Sequence, residues 1–315
     1  MKKKLNLFVS LLLVLLLGGT LIACNISPKR TVTIAYNPSA YASAVSQIMI
    51  SENIIEKYLP KNVEVKWVEM SSASDIRDAL ASGTLDIATP ALTAFISAYE
   101  NNLPIKLISN YGNAQVSLYG CNNEIEDITE FKDSSVIAIK GLNSNPHIAL
   151  LAYCKEAGLD VRKYNSMLNK IPEAETIGML ASSDDIDGAV LSYPVTKKAD
   201  ALSNCKLLAD FSDVIKEYNL GTVVCANSEF YNKNTDIINS FEAAHKFIVE
   251  NWSANLEKNA KLLAKEYNCP AEEIQDLMES LPPTMEIVGY DKLANLMYEC
   301  DMLSENPKPF QDVME

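Results

Sequence analysis

Apolar positions along this chain fall into short blocks that switch repeatedly between a period of two and a period near 3.6. Residues 31–36, reading TVTIAY, predict a strand, and 37–40 a turn. Over 42–59, Val45, Ile48, Met49, Ile55 and Leu59 recur at spacings that predict one amphipathic helix stopped by Pro60. Alternation of Val63, Val65 and Trp67 predicts a half-buried strand over 63–68. Ser71 to Ser74 offer polar caps for a helix through Leu80, and Gly83 ends it. A short strand at 86–89, a helix opened by Pro90 and running to about Glu100, and a strand at 105–109 complete this first series.

A second series starts near Ile128. The apolar run 135–139 predicts a strand, 141–145 a polar loop, and Pro146 the first residue of a helix that runs to Ala157 and stops at Gly158. A helix over 174–180, a strand at 188–191, a helix opened by Pro194 and a strand at 222–226 follow. The remainder reads as helix over 235–251, 256–267, 271–279 and 290–303.

Strands and helices that alternate at such short intervals predict an α/β protein with largely parallel sheets. One unit ends near residue 112 and another occupies 113–221. The helical tail has no sheet of its own, so residues 31–112 and 222–315 are assigned to one lobe and 113–221 to an inserted second lobe. Two crossing segments, near 111–119 and 219–226, would join them. Such a connection makes a hinge, and ligands favour the crevice between lobes.

Charge and rare residues narrow the chemistry. A formal charge of -14 makes nucleic acid a poor partner, because phosphate neutralisation needs basic surface. Arginine occurs only at Arg30, Arg77 and Arg162, so a tightly held anion would rely mainly on other donors. The histidines are His147 and His245, with no metal-like spacing, and neither a metal nor a cofactor is expected. Cys121, Cys154, Cys205, Cys225, Cys269 and Cys300 form no CxxC, which leaves free thiols and disulfides both open.

The start of the chain carries its own signal. Lys2, Lys3 and Lys4 precede an apolar run over 5–17, and Gly18 to Ala23 lead into Cys24. Residues 1–23 predict a secretory signal, with an apolar run short for a membrane span. The segment resembles a bacterial lipoprotein signal. That resemblance implies a lipid anchor at Cys24, a tether over 24–30, and an extracytoplasmic protein held at the cell membrane.

Several segments resemble the NMT1/THI5-like group of periplasmic binding proteins, which serves nitrate, sulfonate, taurine and thiamine-precursor uptake. They are Val65-Lys66-Trp67-Val68-Glu69, the run from Gly83 to Ala88 before Thr89-Pro90-Ala91-Leu92, Phe131-Lys132-Asp133 through Lys140-Gly141, and Asp187 to Pro194. The resemblance implies a two-lobed type II periplasmic-binding-protein fold with a ligand cleft between the lobes and a two-segment hinge. It further implies a monomeric solute-binding component of an ABC importer, with a permease and an ATPase as partners.

In such a protein the work is grip. Amides at helix starts bind negative groups, and the loops that carry them lie beyond the carboxyl ends of predicted strands. Tyr36, Tyr41 and Tyr193 are candidates to pack on a flat or aliphatic ligand. Ser39, Ser72, Thr89 and Ser192 offer hydroxyls, with Ser72 and Thr89 serving equally well as helix caps. Pro90 shapes one loop, Asn143, Ser144 and His147 are expected on the second lobe facing the cleft, and Thr222 lies near the hinge. The ligand class expected is a small organic anion of the sulfonate, taurine or nitrate kind. The alternative is a heteroaromatic vitamin precursor such as a thiamine pyrimidine. An enzyme on the same fold is a weaker rival, since two histidines supply little general-base capacity. A structural lipoprotein is another.

Overall fold

The computed structural model describes residues 28–38, 40–121, 125–182 and 185–314. The expected signal peptide and Cys24 lie outside them, as does Ser39. The described strands are β1 (Arg30–Tyr36), β2 (Val63–Glu69), β3 (Ile87–Ala88), β4 (Ile105–Asn113), β5 (Val116–Cys121), β6 (Ile137–Ile139), β7 (Leu168–Lys170), β8 (Gly188–Ser192), β9 (Cys205–Asp210) and β10 (Gly221–Asn227). They form two five-stranded sheets, ordered β2-β1-β3-β10-β4 and β7-β6-β8-β5-β9.

Both sheets are mixed, which corrects the expectation of largely parallel ones. In the first, β1 runs parallel to β2 and β3, while β10 runs antiparallel to β3 and β4. In the second, β6 runs parallel to β7 and β8, while β5 runs antiparallel to β8 and β9. The reversed strands are those laid down where the chain crosses between sheets. It leaves along β4, enters on β5 and, after the helix Ser212–Glu217, returns on β10.

Backbones approach closely at this crossing. A Cβ on Gly221 would sit 1.9 Å from the Gly112 carbonyl oxygen, and one on Gly112 would sit 2.7 Å from that of Ala42. Only glycine allows these contacts.

The helix expected over 42–59 is broken. A 3-10 turn at Tyr41–Ser43 leads into a helix at Ala44–Ser51, and a second 3-10 turn follows at Ile55–Lys57. Asn53 takes a left-handed φ of 47°. The Asn53 N–H donates to the Ile50 carbonyl at 3.1 Å, and that of Ile54 to Met49 at 2.9 Å, which is the hydrogen-bond pattern of a helix stop. Ile54 and Ile55 then turn into the core. Pro90 does not open its helix either; that helix spans Leu92–Glu100, capped at Ala91. β5, β7 and β9 were not foreseen as strands. β5 is buried along its whole length and β9 is a mostly exposed edge, so neither shows clean alternation.

The helix Tyr290–Glu299 packs against parts of both sheets' surroundings. Tyr290, Leu293, Leu296 and Met297 share one apolar core with Phe95, Ile148 and Tyr218. Lys292 adds ion pairs to Glu156, at 2.9 Å, and Glu217, and Lys155 pairs with Glu299. The described cysteines are all free thiols.

Candidate functional site

The carboxyl ends of β1, β2 and β3 face those of β6, β7 and β8 across the crossing segments and enclose a cavity of about 350 Å³. The first sheet's wall carries Asn37, Tyr41, Met70, Ser71, Thr89 and Pro90. The opposite wall carries Lys140, Asn143, Ser144, Glu173, Ser192 and Tyr193. Ala114 and Gln115 on the outgoing crossing and Thr222 on the returning one line it as well. The helices Ala73–Ser82, Leu92–Glu100 and Asn145–Glu156 all begin at this cavity, with Ala73, Ala91, Thr93, Ser144 and Asn145 on its surface. Backbone amides of a first helical turn lack intrahelical partners and favour negative groups.

Of the candidate residues, Tyr41, Thr89, Pro90, Asn143, Ser144, Ser192, Tyr193 and Thr222 come together here. The two tyrosines offer rings more than hydroxyls. Tyr41 donates its hydroxyl to the Leu281 carbonyl at 3.4 Å, and Tyr193 donates to the Cys269 Sγ at 3.1 Å. Burial pushes both phenols well above their ordinary range. Tyr193 follows β8, yet its ring meets Tyr41 and Tyr267 edge-on, with centroids 6.1 and 6.2 Å away. It therefore packs into the apolar cluster built on the first sheet.

Thr89 donates its hydroxyl to the Ala35 carbonyl at 3.3 Å, Thr222 to that of Ala42 at 2.7 Å, and Ser144 to that of Gly141 at 2.6 Å. Their remaining capacity is mainly as acceptors. Ser71 and Ser192, on opposite walls, have hydroxyls with no hydrogen-bond partner among the described residues, so both can donate inward. Asn145 ties the second wall to the crossing: its Nδ2 donates to the Gly221 carbonyl at 2.9 Å and its Oδ1 accepts from Thr93 Oγ1 at 3.4 Å.

Three candidates are not on the cavity surface. Tyr36 donates to Glu69 Oε1 at 3.2 Å and packs edge-on against Trp67. Ser72 is a helix cap, its Oγ accepting the Asp75 N–H at 3.3 Å. His147 was expected to face the cleft but is 3 % exposed behind it. Its Nδ1 accepts the Asn143 N–H at 2.9 Å, so Nε2 holds the proton and donates to Asn165 Oδ1 at 2.7 Å. Burial lowers the imidazole's pKa, opposed by the Asn165 bond. His147 is thus a strut under Asn143, whose φ is 59°. Ser39 lies outside the described residues.

Sequence reasoning missed Met70, Ile76, Ala94, Gln115, Leu142 and the Lys140–Glu173 ion pair, whose charged atoms lie 3.6 Å apart. Lys140 just before the Gly141 turn was a usable signal. Glu173 was not, since only the pairing of β6 with β7 brings its helix alongside. Lys140 is the sole Lys or Arg among the described lining residues, and Glu173 accompanies it. Among the described residues no three His, Cys, Asp or Glu side chains cluster as a metal site would require.

A family model described as NMT1/THI5 like matches residues 58–247. The chain belongs to the NMT1/THI5-like family. Solved structures place this NMT1/THI5-like chain in the two-lobed periplasmic-binding-protein fold. The periplasmic aliphatic sulphonate binding protein SsuA of Escherichia coli is 20% identical with a TM-score of 0.72, covering 89% of this chain and 96% of its own. The alkanesulfonate-binding protein SsuA of Xanthomonas axonopodis pv. citri, bound to MOPS, is 14% identical with a TM-score of 0.72, covering 89% and 96%. The periplasmic nitrate-binding protein NrtA of Synechocystis PCC 6803 is 12% identical with a TM-score of 0.64, covering 90% and 84%. No curated protein matches the chain.

Proposed function

We propose that this chain is the extracytoplasmic solute-binding lipoprotein of an ABC importer, which captures a small organic anion of the sulfonate or taurine kind and delivers it to the permease. The observation that carries the reading is the 350 Å³ cavity enclosed by strand ends of both sheets. Its three helix starts and the Ser71 and Ser192 hydroxyls, which have no partner among the described residues, supply donors for an anionic head. Tyr41, Tyr193, Ile76, Ala94 and Leu142 supply an apolar wall for a carbon body. Residues 31–112 with 222–315 and residues 113–221 act as lobes that close about the two crossings. Cys24 carries the lipid that keeps the protein at the membrane.

A second reading is favoured by the Lys140–Glu173 pair. With that cation neutralised, the cavity suits a neutral or weakly basic heteroaromatic, such as a thiamine-type pyrimidine, stacked on the tyrosines.

Thermal unfolding against taurine, alkyl and aryl sulfonates, nitrate, thiamine and its pyrimidine precursors tests both. A ligand at about 100 times its Kd stabilises the folded state by about 2.7 kcal/mol. A raised midpoint with sulfonates alone supports the first reading, and with pyrimidines alone the second. An unmoved midpoint across the panel refutes both.

A further inference from the structure

The register of the second sheet sets Cys121, the last residue of β5, directly opposite Cys205, the first residue of β9. Opposed residues of an antiparallel pair project to the same face with Cα atoms about 4.5 or 5.5 Å apart, and both separations lie within the span a disulfide bridges. Both cysteines belong to the apolar cluster that includes Leu180, Leu191 and Ala199. Cys225, the other cysteine placed in a strand, faces Ala88 and Leu107 instead. Cys121 is buried, whereas Cys205 is half-exposed on an edge strand whose partner in the sheet is β5. One thiol of the pair is therefore within reach of a small reagent and the other is not.

We propose that Cys121 and Cys205 form a redox modification site, a dithiol that a small-molecule disulfide converts to a cross-strand disulfide tying β9 to β5. The Cys205 thiolate attacks one sulfur of the reagent, expels a small thiolate and becomes a mixed disulfide. The Cys121 thiolate then attacks the Cys205 sulfur and expels the second small thiolate. One S–S bond breaks and one forms. Both cysteine protons end on the two released thiols, so the reagent is reduced as the protein is oxidised. Burial pushes both thiols up, and each perturbs the other. The exchange therefore starts at Cys205 and quickens as pH rises.

The test treats the reduced full-length chain with oxidised glutathione in mildly alkaline buffer, alkylates the remaining thiols with iodoacetamide, and maps peptides by mass spectrometry. The Cys121 and Cys205 peptides are expected joined, with two alkylatable thiols lost and the circular dichroism unchanged. In Cys121→Ala the reaction is expected to stall at a glutathione adduct on Cys205, and in Cys205→Ala the Cys121 thiol is expected to stay unmodified. Recovery of both residues as alkylated thiols from folded protein overturns the proposal. So does the joining of either to a different cysteine.

Discussion

Acidification from neutral pH should destabilise this protein through its two histidines, before most carboxylates titrate. His245 is fully buried on the helix Thr235–Glu250, with its ring centroid 4.8 Å from that of Tyr111 and Nδ1 3.4 Å from Ser109 Oγ. Its Nε2 has no hydrogen-bond partner among the described residues. Burial pushes its pKa down from 6.5 to about 3. Below the unfolded value the unfolded chain binds a proton at this residue while the folded chain does not. The stability conferred by neutral His245 is thus complete above that pH and is lost progressively as pH falls towards the folded value. Each pH unit removes about 1.4 kcal/mol per proton, so His245 alone should take away about 2 kcal/mol by about pH 5. His147, lowered by the same cause, acts in the same direction. Asp86 and Glu242, raised by burial, act in the opposite direction, so the contribution of His245 is read from the difference between wild type and a His245 variant rather than from the wild-type slope alone. Urea unfolding at several pH values between about 7 and 5 should show a slope that approaches one proton steeper in the wild type than in His245→Phe as pH falls. An equal loss of stability in both proteins across that window would refute the reasoning.

Other substitutions probe the cavity and its supports. Tyr193→Ala removes a nearly buried ring from between Tyr41 and Tyr267 and should cost about 3 kcal/mol in urea unfolding; a change under about 1 would mean that the ring does not anchor the second wall. Gly221→Ala drives a methyl into the Gly112 carbonyl and should cost at least about 2 kcal/mol, whereas an unchanged midpoint would contradict the tight crossing. His147→Leu deletes the acceptor under Asn143 and should weaken binding of the screened ligand about fivefold, the equivalent of one hydrogen bond, with His147→Asn recovering most of the loss. Equal affinities for the two variants would deny His147 its role as a strut.

The alternating strand and helix pattern made the α/β architecture legible because each block was long enough to show its own period. It failed where period and structure part company. Over 42–59 the apolar spacing continues past Ser51, but Asn53 in its left-handed conformation stops the helix, a local backbone event that hydrophobic spacing does not register. β5 lacks alternation because both its faces are buried, and β9 because it is an exposed edge. Seven of the eight candidate residues at the cavity were read as parts of loops after strands, and the fold gathers those loops at one place, while Thr222 was read from its position near the hinge. His147 satisfied the same rule by position, yet its ring turns back to hold the Asn143 amide. Lys140 and Glu173 meet only through pairing of strands far apart in sequence, which a linear reading does not see.

The most direct test of a solute-binding cleft is calorimetric titration of the ligand found in the screen into wild type and Ala94→Trp. Ala94 is half-buried and lines the cavity, so an indole there occupies the ligand's space without entering the core. Binding is predicted to weaken at least about 100-fold, a loss of about 2.7 kcal/mol or more, with the ligand-free unfolding midpoint unchanged. Wild-type affinity in Ala94→Trp would place the ligand elsewhere and contradict the account.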